Sequence, residues 1–266
     1  MTSDKPEPSD PCAVPTPIAL WDSGVGGLTV LRALRRERPD ANYHYFADNA
    51  HAPYGIRSAD RIRERADAIV DWCTTIAAGA LVVACNTATA AAVEHLRSRL
   101  DIPVVGMEPG LKPATRLTRN GRVGILATAG TLASERFRVL RERYARSVEV
   151  VIHPCPELVT LAERGEIRGP AARAAVTRAI APFREAAVDT LVLGCTHFPL
   201  FRRELQTALG PDVRLVDTAS AVARRTLHLL SADINGSGRI VLSASGDPSV
   251  LEALAEAQMT VQAPYD

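Results

Sequence analysis

Lysine is almost absent from this chain of 266 residues, which contains only Lys5 and Lys112. Enzymes that use pyridoxal phosphate need a lysine to form a Schiff base with the cofactor. Lys5 lies in a proline-rich N-terminal segment and Lys112 directly precedes Pro113, so neither is well placed for that reaction. The shortage of lysine therefore argues against a pyridoxal phosphate enzyme.

The cysteine spacing that would indicate a zinc site or a disulfide framework is also absent. The chain has an odd number of cysteines and no C-x-x-C pair, whereas metal sites and disulfide scaffolds use paired spacings. We therefore expect reduced thiols and no bound metal. The five cysteines are Cys12, Cys73, Cys85, Cys155 and Cys195.

Neither a strong charge nor a long apolar run is present. The formal net charge is +1, from 31 basic and 30 acidic residues, so no long-range field attracts nucleic acid or a membrane surface. The apolar stretches are far shorter than the roughly 20 residues that a bilayer requires, and the N-terminus lacks a signal-peptide pattern. We expect a cytoplasmic protein that binds neither nucleic acid nor membrane.

What is present is an α/β pattern. Residues 1–17 contain five prolines among polar residues and are expected to form a disordered N-terminal extension. From Ile18 onward, short apolar runs typical of buried strands alternate with longer helical patterns. This alternation predicts mainly parallel sheets flanked by crossover helices.

A weak internal repeat divides this pattern into two similar halves. The segment LVVACNT (81–87) resembles LVLGCTH (191–197), and a strand followed by a glycine-containing turn precedes each of them. The final strand and helix pattern lies beyond the second repeat and is expected to pack back on the first half. The sequence therefore predicts two pseudo-symmetric α/β domains, formed by 18–108 with 220–266 and by 109–219, with the active site in the cleft between them.

The two repeated cysteines are the leading candidates for chemistry. Ligands bind at the carboxyl ends of strands in open parallel sheets, and Cys85 and Cys195 each follow an apolar run there. If the halves face each other, one cleft receives both thiols. The polar residues after each cysteine could begin a helix, whose N-terminus would lower the thiol pKa. A small buried residue at a strand end is the alternative for either cysteine alone. We assign no catalytic role to the other three cysteines.

The loop from Asp22 to Gly27 (DSGVGG) superficially resembles a dinucleotide-binding turn, with Asp48 as the ribose ligand. The match is poor, because the third glycine of G-x-G-x-x-G would fall at Thr29. Asp22 would also place a carboxylate where an anionic pyrophosphate should bind. A carboxylate at this point suits an ammonium group or a proton-transfer partner better, although a helix-capping role is the plainer interpretation.

His197 follows Cys195 by two residues, and this pair could be half of a zinc site. No second pair with ligand spacing accompanies it. His197 could instead exchange a proton with the nearby thiol, or it could be a silent structural histidine.

Neutral hydrogen-bonding groups accompany the same motifs. Together with helix N-termini, such groups can bind a carboxylate without lysine or arginine, although each alone fits a turn or a cap. The candidates are Ser23, Pro53, Tyr54, Gly55, Asn86, Thr87, Thr128 and Thr196.

In order along the chain, the motifs resemble those of the glutamate racemases, within the aspartate/glutamate racemase superfamily. The similar stretches run from about residue 18 to 219, and the ordered combination of D-S-G-V-G-G, A-C-N-T and G-C-T-H is highly specific. They are WDSGVGGLTVLRAL, YFADNAHAPYGIRS, LVVACNTATA, GMEPGLKPA, VGILATAGTLAS, CPELVTLAERGE, LVLGCTHFPL and VDTA.

The resemblance implies a cofactor-independent isomerase that interconverts L- and D-glutamate and supplies D-glutamate for bacterial peptidoglycan. It implies that Cys85 and Cys195 are the two acid/base residues, with Asp22 near the first and His197 and Glu163 near the second. It leaves a homodimer open. The residues expected to contact substrate by this likeness are Asp22, Ser23, Tyr54, Gly55, Asn86, Thr87, Thr196 and His197.

Racemisation removes the Cα proton from one face and returns a proton to the other, so two facing thiols fit the need. Three departures from the family leave this activity intact but put loop positions and kinetic tuning in question: Ala47, His51 and Phe198 stand where glycine, arginine and tyrosine are common.

One alternative is a racemase that acts on aspartate or another carboxylated amino acid. Another is a non-catalytic protein that binds an amino acid or a nucleotide on the same scaffold.

Overall fold

A computed structural model describes residues 16–230 and 236–260. The expected disordered extension therefore lies outside the described residues except for its last two positions, and so do Lys5 and Cys12. The described strands are β1 (Ile18–Asp22), β2 (Tyr43–Ala47), β3 (Ala80–Val83), β4 (Val104–Val105), β5 (Arg122–Ala127), β6 (Glu149–Pro154), β7 (Thr190–Gly194), β8 (Arg214–Val216) and β9 (Ile240–Ala244).

Helices connect these strands as crossovers. The described α-helices are α1 (Leu28–Glu37), α2 (Ala59–Thr75), α3 (Asn86–Arg99), α4 (Leu111–Leu117), α5 (Ala129–Leu132), α6 (Glu135–Tyr144), α7 (Pro156–Glu163), α8 (Pro170–Glu185), α9 (Arg202–Leu209), α10 (Ala219–Leu229) and α11 (Ser249–Thr260). Three short 3₁₀ turns span Asn49–His51, Tyr54–Ile56 and Phe198–Phe201. Among the helices of residues 16–230 and 236–260, none combines the length with the hydropathy that a membrane span requires.

The strands form two parallel sheets with the same internal order. The first sheet runs β4-β3-β1-β2-β9 and the second runs β6-β5-β7-β8. Without β9, the order β2-β1-β3-β4 of the first sheet matches β6-β5-β7-β8 of the second. The predicted α/β fold with two similar halves is confirmed. Strand β9 pairs with β2, with Tyr43 opposite Ile240, so the final strand joins the first sheet as expected.

The central strands are buried on both faces. Every residue of β1, β3 and β7 is buried, whereas β6 and β9 are partly exposed at the sheet edges. Helices cover both faces of such sheets, so these strands are continuously apolar rather than alternating. The residues that follow β1, β3 and β7 are therefore held by the most buried part of each half.

One hydrophobic core cluster extends across both halves. Leu28 and Leu31 of α1 belong to the same buried cluster as Leu158 of α7, Phe183 of α8 and Phe198. Apolar burial contributes about 25 cal/mol for each Å² removed from water, so a shared core holds the two sheets together as well as each sheet internally. The cleft between the sheets consequently has well-packed walls.

Candidate active site

A cavity of about 220 Å³ lies between the two halves, where the carboxyl ends of β1, β3, β5 and β7 meet. Each of these strands contributes a residue that follows it, as expected for a parallel α/β sheet. Both repeated cysteines line the cavity. The lining residues are Ser23, Pro53, Tyr54, Gly55, Ile56, Cys85, Thr87, Thr128, Ala129, Pro154, Pro156, Val159, Cys195 and His197.

Cys85 forms one wall, at the N-terminus of α3. Its sulfur accepts a hydrogen bond from the Ala88 N–H at 3.5 Å and lies 3.8 Å from the Ser23 hydroxyl. Burial raises the pKa of Cys85 to about 12, and the nearby Asp22 carboxylate adds to this effect. The expectation that a helix N-terminus would lower this pKa is wrong for Cys85, because the lost hydration of the thiolate outweighs the favourable backbone N–H group.

Cys195 forms the other wall, beside a histidine and a glutamate. Its sulfur lies 3.4 Å from Nδ1 of His197, whose Nε2 is hydrogen-bonded to Glu163. Burial alone would lower the pKa of His197, but Cys195 and Glu163 together raise it well above its ordinary value. The segment after Cys195 also differs from the expected helix N-terminus, since a four-residue 3₁₀ turn precedes α9.

Asp22 connects the two halves behind the cavity. Its Oδ1 accepts a hydrogen bond from the Gly24 N–H at 2.8 Å, and its Oδ2 accepts one from the Thr196 hydroxyl at 3.1 Å. Burial raises the pKa of Asp22 to about 6, although His197 opposes the shift. Asp22 is therefore a fully buried carboxylate that titrates close to neutral pH.

The glycines of the first loop make room for side chains of the second half. A Cβ at Gly24 would overlap the Glu163 carboxylate, and a Cβ at Gly26 would lie 2.6 Å from the Thr196 hydroxyl oxygen and 2.7 Å from Nδ1 of His197. These glycines are thus explained by close packing rather than by a phosphate. The dinucleotide interpretation fails for the same reason, because protein side chains fill the space over the loop.

Threonine hydroxyls join the halves on another side of the cavity. The Thr87 and Thr128 hydroxyl oxygens are 2.8 Å apart, and Thr131 lies 2.9 Å from Thr128. Next to this cluster, Oδ1 of Asn86 is buried and has no hydrogen-bond partner. An unpaired buried acceptor is costly, so a ligand donor that reached this oxygen would relieve that cost.

The structure brings most of the predicted site residues to the cavity surface. Asp22, Asn86, Glu163 and Thr196 are not among the lining residues, although all four are hydrogen-bonded or adjacent to residues that are. The sequence interpretation missed five lining residues. Three of them lie at or just after a strand end, Ala129 after β5 and Pro154 and Pro156 at the end of β6, and could have been found by the strand-end rule. The other two, with no clear local signal, are Ile56 and Val159.

Cationic and metal-binding groups are scarce here. Among the described residues, those that line the cavity include no lysine or arginine. The Lys112 ammonium lies 5.6 Å from the centre of the Tyr144 ring, outside the cavity lining. Across residues 16–230 and 236–260, no group of three or more histidines, cysteines, aspartates and glutamates is arranged to hold a metal ion.

Comparison with known proteins gives concordant matches. The model of the Asp/Glu/hydantoin racemase family matches residues 28–226. A glutamate racemase of Pseudomonas aeruginosa is 50% identical over 216 residues, covering 81% of this chain and 82% of the relative.

Two solved structures extend these similarities. The Escherichia coli glutamate racemase in complex with L-glutamate and the activator UDP-MurNAc-Ala superimposes with a TM-score of 0.84 at 38% identity, covering 92% of this chain and 96% of the other. The Francisella tularensis glutamate racemase in complex with D-glutamate gives a TM-score of 0.77 at 25% identity, covering 93% and 94%.

Proposed function

This chain belongs to the Asp/Glu/hydantoin racemase family, and on that premise we propose that it interconverts L-glutamate and D-glutamate by proton transfer at Cα without a cofactor. The observation that carries the proposal is the arrival of Cys85 and Cys195 at one cavity from the two halves. A racemase needs a proton acceptor on one face of Cα and a proton donor on the other, and two facing thiols provide both.

The two walls suit opposite roles when L-glutamate binds. By resemblance to the family, Cys195 takes the Cα proton of L-glutamate. The positive charge of His197 beside its sulfur stabilises the acceptor, and Glu163 holds His197 in place. Cys85, whose raised pKa keeps its proton, then donates that proton to the opposite face of the carbanion. The reverse sequence converts D-glutamate, so each thiol is acid in one direction and base in the other.

Neutral groups and one carboxylate would hold the substrate. The free Oδ1 of Asn86 and the carboxylate of Asp22 suit the ammonium group. The threonine hydroxyls and the backbone N–H groups of the Tyr54–Ile56 turn suit the two carboxylates. The wider set of proposed contacts is Ser23, Pro53, Tyr54, Gly55, Thr87, Thr128, Thr196 and His197.

The direct test is circular dichroism of L-glutamate incubated with the purified protein. We expect the signal to decay to zero, because the two enantiomers have equal free energy. Activity should persist in a chelator and in protein that shows no cofactor absorbance, since Lys112 lies away from the cavity. Activity that is lost on dialysis and restored by pyridoxal phosphate or a metal would refute the proposal.

Glutamate should be preferred to aspartate by at least about 100-fold in kcat/KM. A missing methylene displaces the second carboxylate from donors that would otherwise remain unpaired. Equal rates on the two amino acids would favour the aspartate alternative. The product, D-glutamate, is proposed to supply peptidoglycan synthesis.

Sheet membership supports a division into 18–108 with 220–266 and 109–219. The need for two reduced thiols supports a cytoplasmic location, because the cytosol keeps cysteines reduced. A homodimer remains an expectation, which light scattering of the purified protein would test.

A further inference from the structure

Asp48 is a fully buried carboxylate with partners on several sides. Arg65 donates two hydrogen bonds to it, from Nε at 2.8 Å and from Nη2 at 3.0 Å. Nδ1 of His51 lies 3.0 Å away, and the Tyr54 hydroxyl donates to the other carboxylate oxygen. Asp48 does not line the cavity, yet it holds a residue that does.

Tyr54 places one wall of the cavity. Its ring lies edge-on to Trp21, with centroids 5.9 Å apart, and it begins the Tyr54–Ile56 turn. The first N–H groups of such a turn have no partner within it, and all three residues of this turn line the cavity. The next residue, Gly55, packs against the second half, because a Cβ there would lie 2.9 Å from Cβ of Thr128.

The loop that carries Asp48 is also tied to the chain after β9. Asn49 donates to the Asp247 carbonyl at 2.6 Å and accepts from the Gly246 N–H at 2.7 Å. The Ala50 N–H donates to the Ser245 hydroxyl at 3.1 Å. The loop is therefore anchored from two directions, by Arg65 of α2 and by a segment beyond the residues that match the family model.

We propose that Asp48 is a positioning residue for the racemase reaction. Its carboxylate, oriented by Arg65, holds the Tyr54 hydroxyl and so places the N–H groups of the Tyr54–Ile56 turn for a substrate carboxylate. This inference rests on the proposed function. Asp48 contacts neither thiol nor His197, so its loss should weaken binding of substrate and transition state equally. That pattern raises KM and leaves kcat nearly unchanged.

The experiment compares Asp48→Asn, Tyr54→Phe and the double variant with a matched control. Asp67→Asn is that control, because Asp67 on α2 also pairs with a histidine and an arginine: His95 at 2.7 Å and Arg99 at 3.4 Å. Each single variant should raise KM for glutamate about tenfold, since Tyr54→Phe removes a hydrogen bond to a charged group and Asp48→Asn leaves only a neutral acceptor that Arg65 no longer orients by a charged pair. Changes in kcat should stay within about threefold. The double variant should match the singles, because both remove the same interaction. Asp67→Asn should behave as wild type.

Three results would overturn the inference. KM could stay within about twofold of wild type in both single variants, kcat could fall while KM is unchanged, or Tyr54→Phe could bind normally while Asp48→Asn does not. Arg65→Lys, which keeps the charge but loses the paired geometry, should give an intermediate KM. If Asp48→Asn does not fold, Tyr54→Phe alone decides. A wild-type protein without racemase activity would instead refute the proposed function, so the two failures are distinguishable.

Discussion

Cys85 and Cys195 occupy equivalent places in two sheets of matching strand order, yet their surroundings differ. Cys85 meets a hydroxyl, a backbone N–H group and the field of a buried carboxylate. Cys195 meets an imidazole that is backed by a second carboxylate. The repeated backbone thus supplies two thiols at matching positions, and the neighbouring side chains give each thiol a different chemistry.

Those neighbours depend on contacts across the cleft. Glu163, which holds His197 in the second half, accepts a hydrogen bond from the Val25 N–H of the first half at 3.0 Å. Asp22, which raises the pKa of Cys85, accepts one of its hydrogen bonds from the Thr196 hydroxyl of the second half. Neither half alone would reproduce the surroundings of its own thiol. The proton chemistry belongs to the assembled cleft.

Removing either thiol should produce the largest effect on racemisation. In Cys85→Ser and in Cys195→Ser, racemisation should fall by at least about 10³-fold, because each direction needs both thiols. Elimination from a substrate analogue with a β-leaving group needs only proton removal. It should persist for the L analogue in Cys85→Ser and for the D analogue in Cys195→Ser. Near wild-type racemisation by either variant would contradict the two-thiol mechanism.

Replacing His197 should have a smaller effect, and this effect should be confined to proton removal by Cys195. In His197→Asn, elimination from the L analogue should fall about 10²-fold, because the group that stabilises charge on Cys195 is gone. Elimination from the D analogue should change less than about threefold. Glu163→Gln keeps an oxygen for the Val25 N–H and should lie between wild type and His197→Asn. An equal loss for both analogues would show that His197 does not serve one wall.

Adding a methyl group to Gly26, where the first half meets Thr196 and His197 of the second, tests whether this close approach is needed for stability and activity. Gly26→Ala should destabilise the fold by about 1–3 kcal/mol, because the new Cβ would lie within 2.7 Å of Thr196 and His197 atoms. We also expect kcat/KM to fall about tenfold. In Gly130→Ala the nearest atoms, including the Gly55 oxygen, are 3.2 Å away, so both losses should be smaller. Urea unfolding and initial rates should be measured for both variants. Equal losses of stability and kcat/KM in the two would show that the close approach at Gly26 has no special importance.

The final prediction concerns the stability cost of the carboxylate beside Cys85. Burial raises the pKa of Asp22 from 3.8 to about 6, so the native state holds this proton more tightly than the unfolded state. Stability is therefore lost as pH rises through this interval, by about 3 kcal/mol in total. Asp22→Asn has no such titration, and its free energy of unfolding should exceed that of wild type by up to about 3 kcal/mol at pH 8.

Urea unfolding at pH 4, 6 and 8 checks this expectation. The difference between Asp22→Asn and wild type should shrink as the pH falls toward 4, because Asp22 is then protonated in the native state and roughly half protonated in the unfolded state. All other groups are common to the two proteins, so the difference isolates Asp22. A difference that stays constant with pH would mean that the buried carboxylate does not titrate as described.

Backbone placement was predictable from the sequence because it follows from local patterns. Apolar runs placed Cys85 and Cys195 at strand ends, and the spacing of the repeat indicated two halves with a final strand returning to the first. The pKa values of the site residues were harder to predict from the sequence. A helix N-terminus next to Cys85 is visible locally, but the burial that raises its pKa comes from residues distant in the sequence, such as Trp21 and Tyr54 of the same buried cluster. Val159 reaches the cavity from α7 for a similar reason, since only the packed structure shows which helix face closes the cleft.

The different surroundings of Cys85 and Cys195 cannot change the ratio of kcat/KM for the two enantiomers. L- and D-glutamate have the same free energy in water, so the equilibrium constant between them is 1 and kcat/KM must be identical in the two directions. Whatever His197 contributes to the removal of a proton from the L enantiomer, it contributes equally to the return of a proton in the reverse direction. The asymmetry can therefore appear only in kcat and KM separately, which must differ between the enantiomers by the same factor. The two sides of the cleft determine which enantiomer saturates the enzyme first, while the final mixture stays at equal parts.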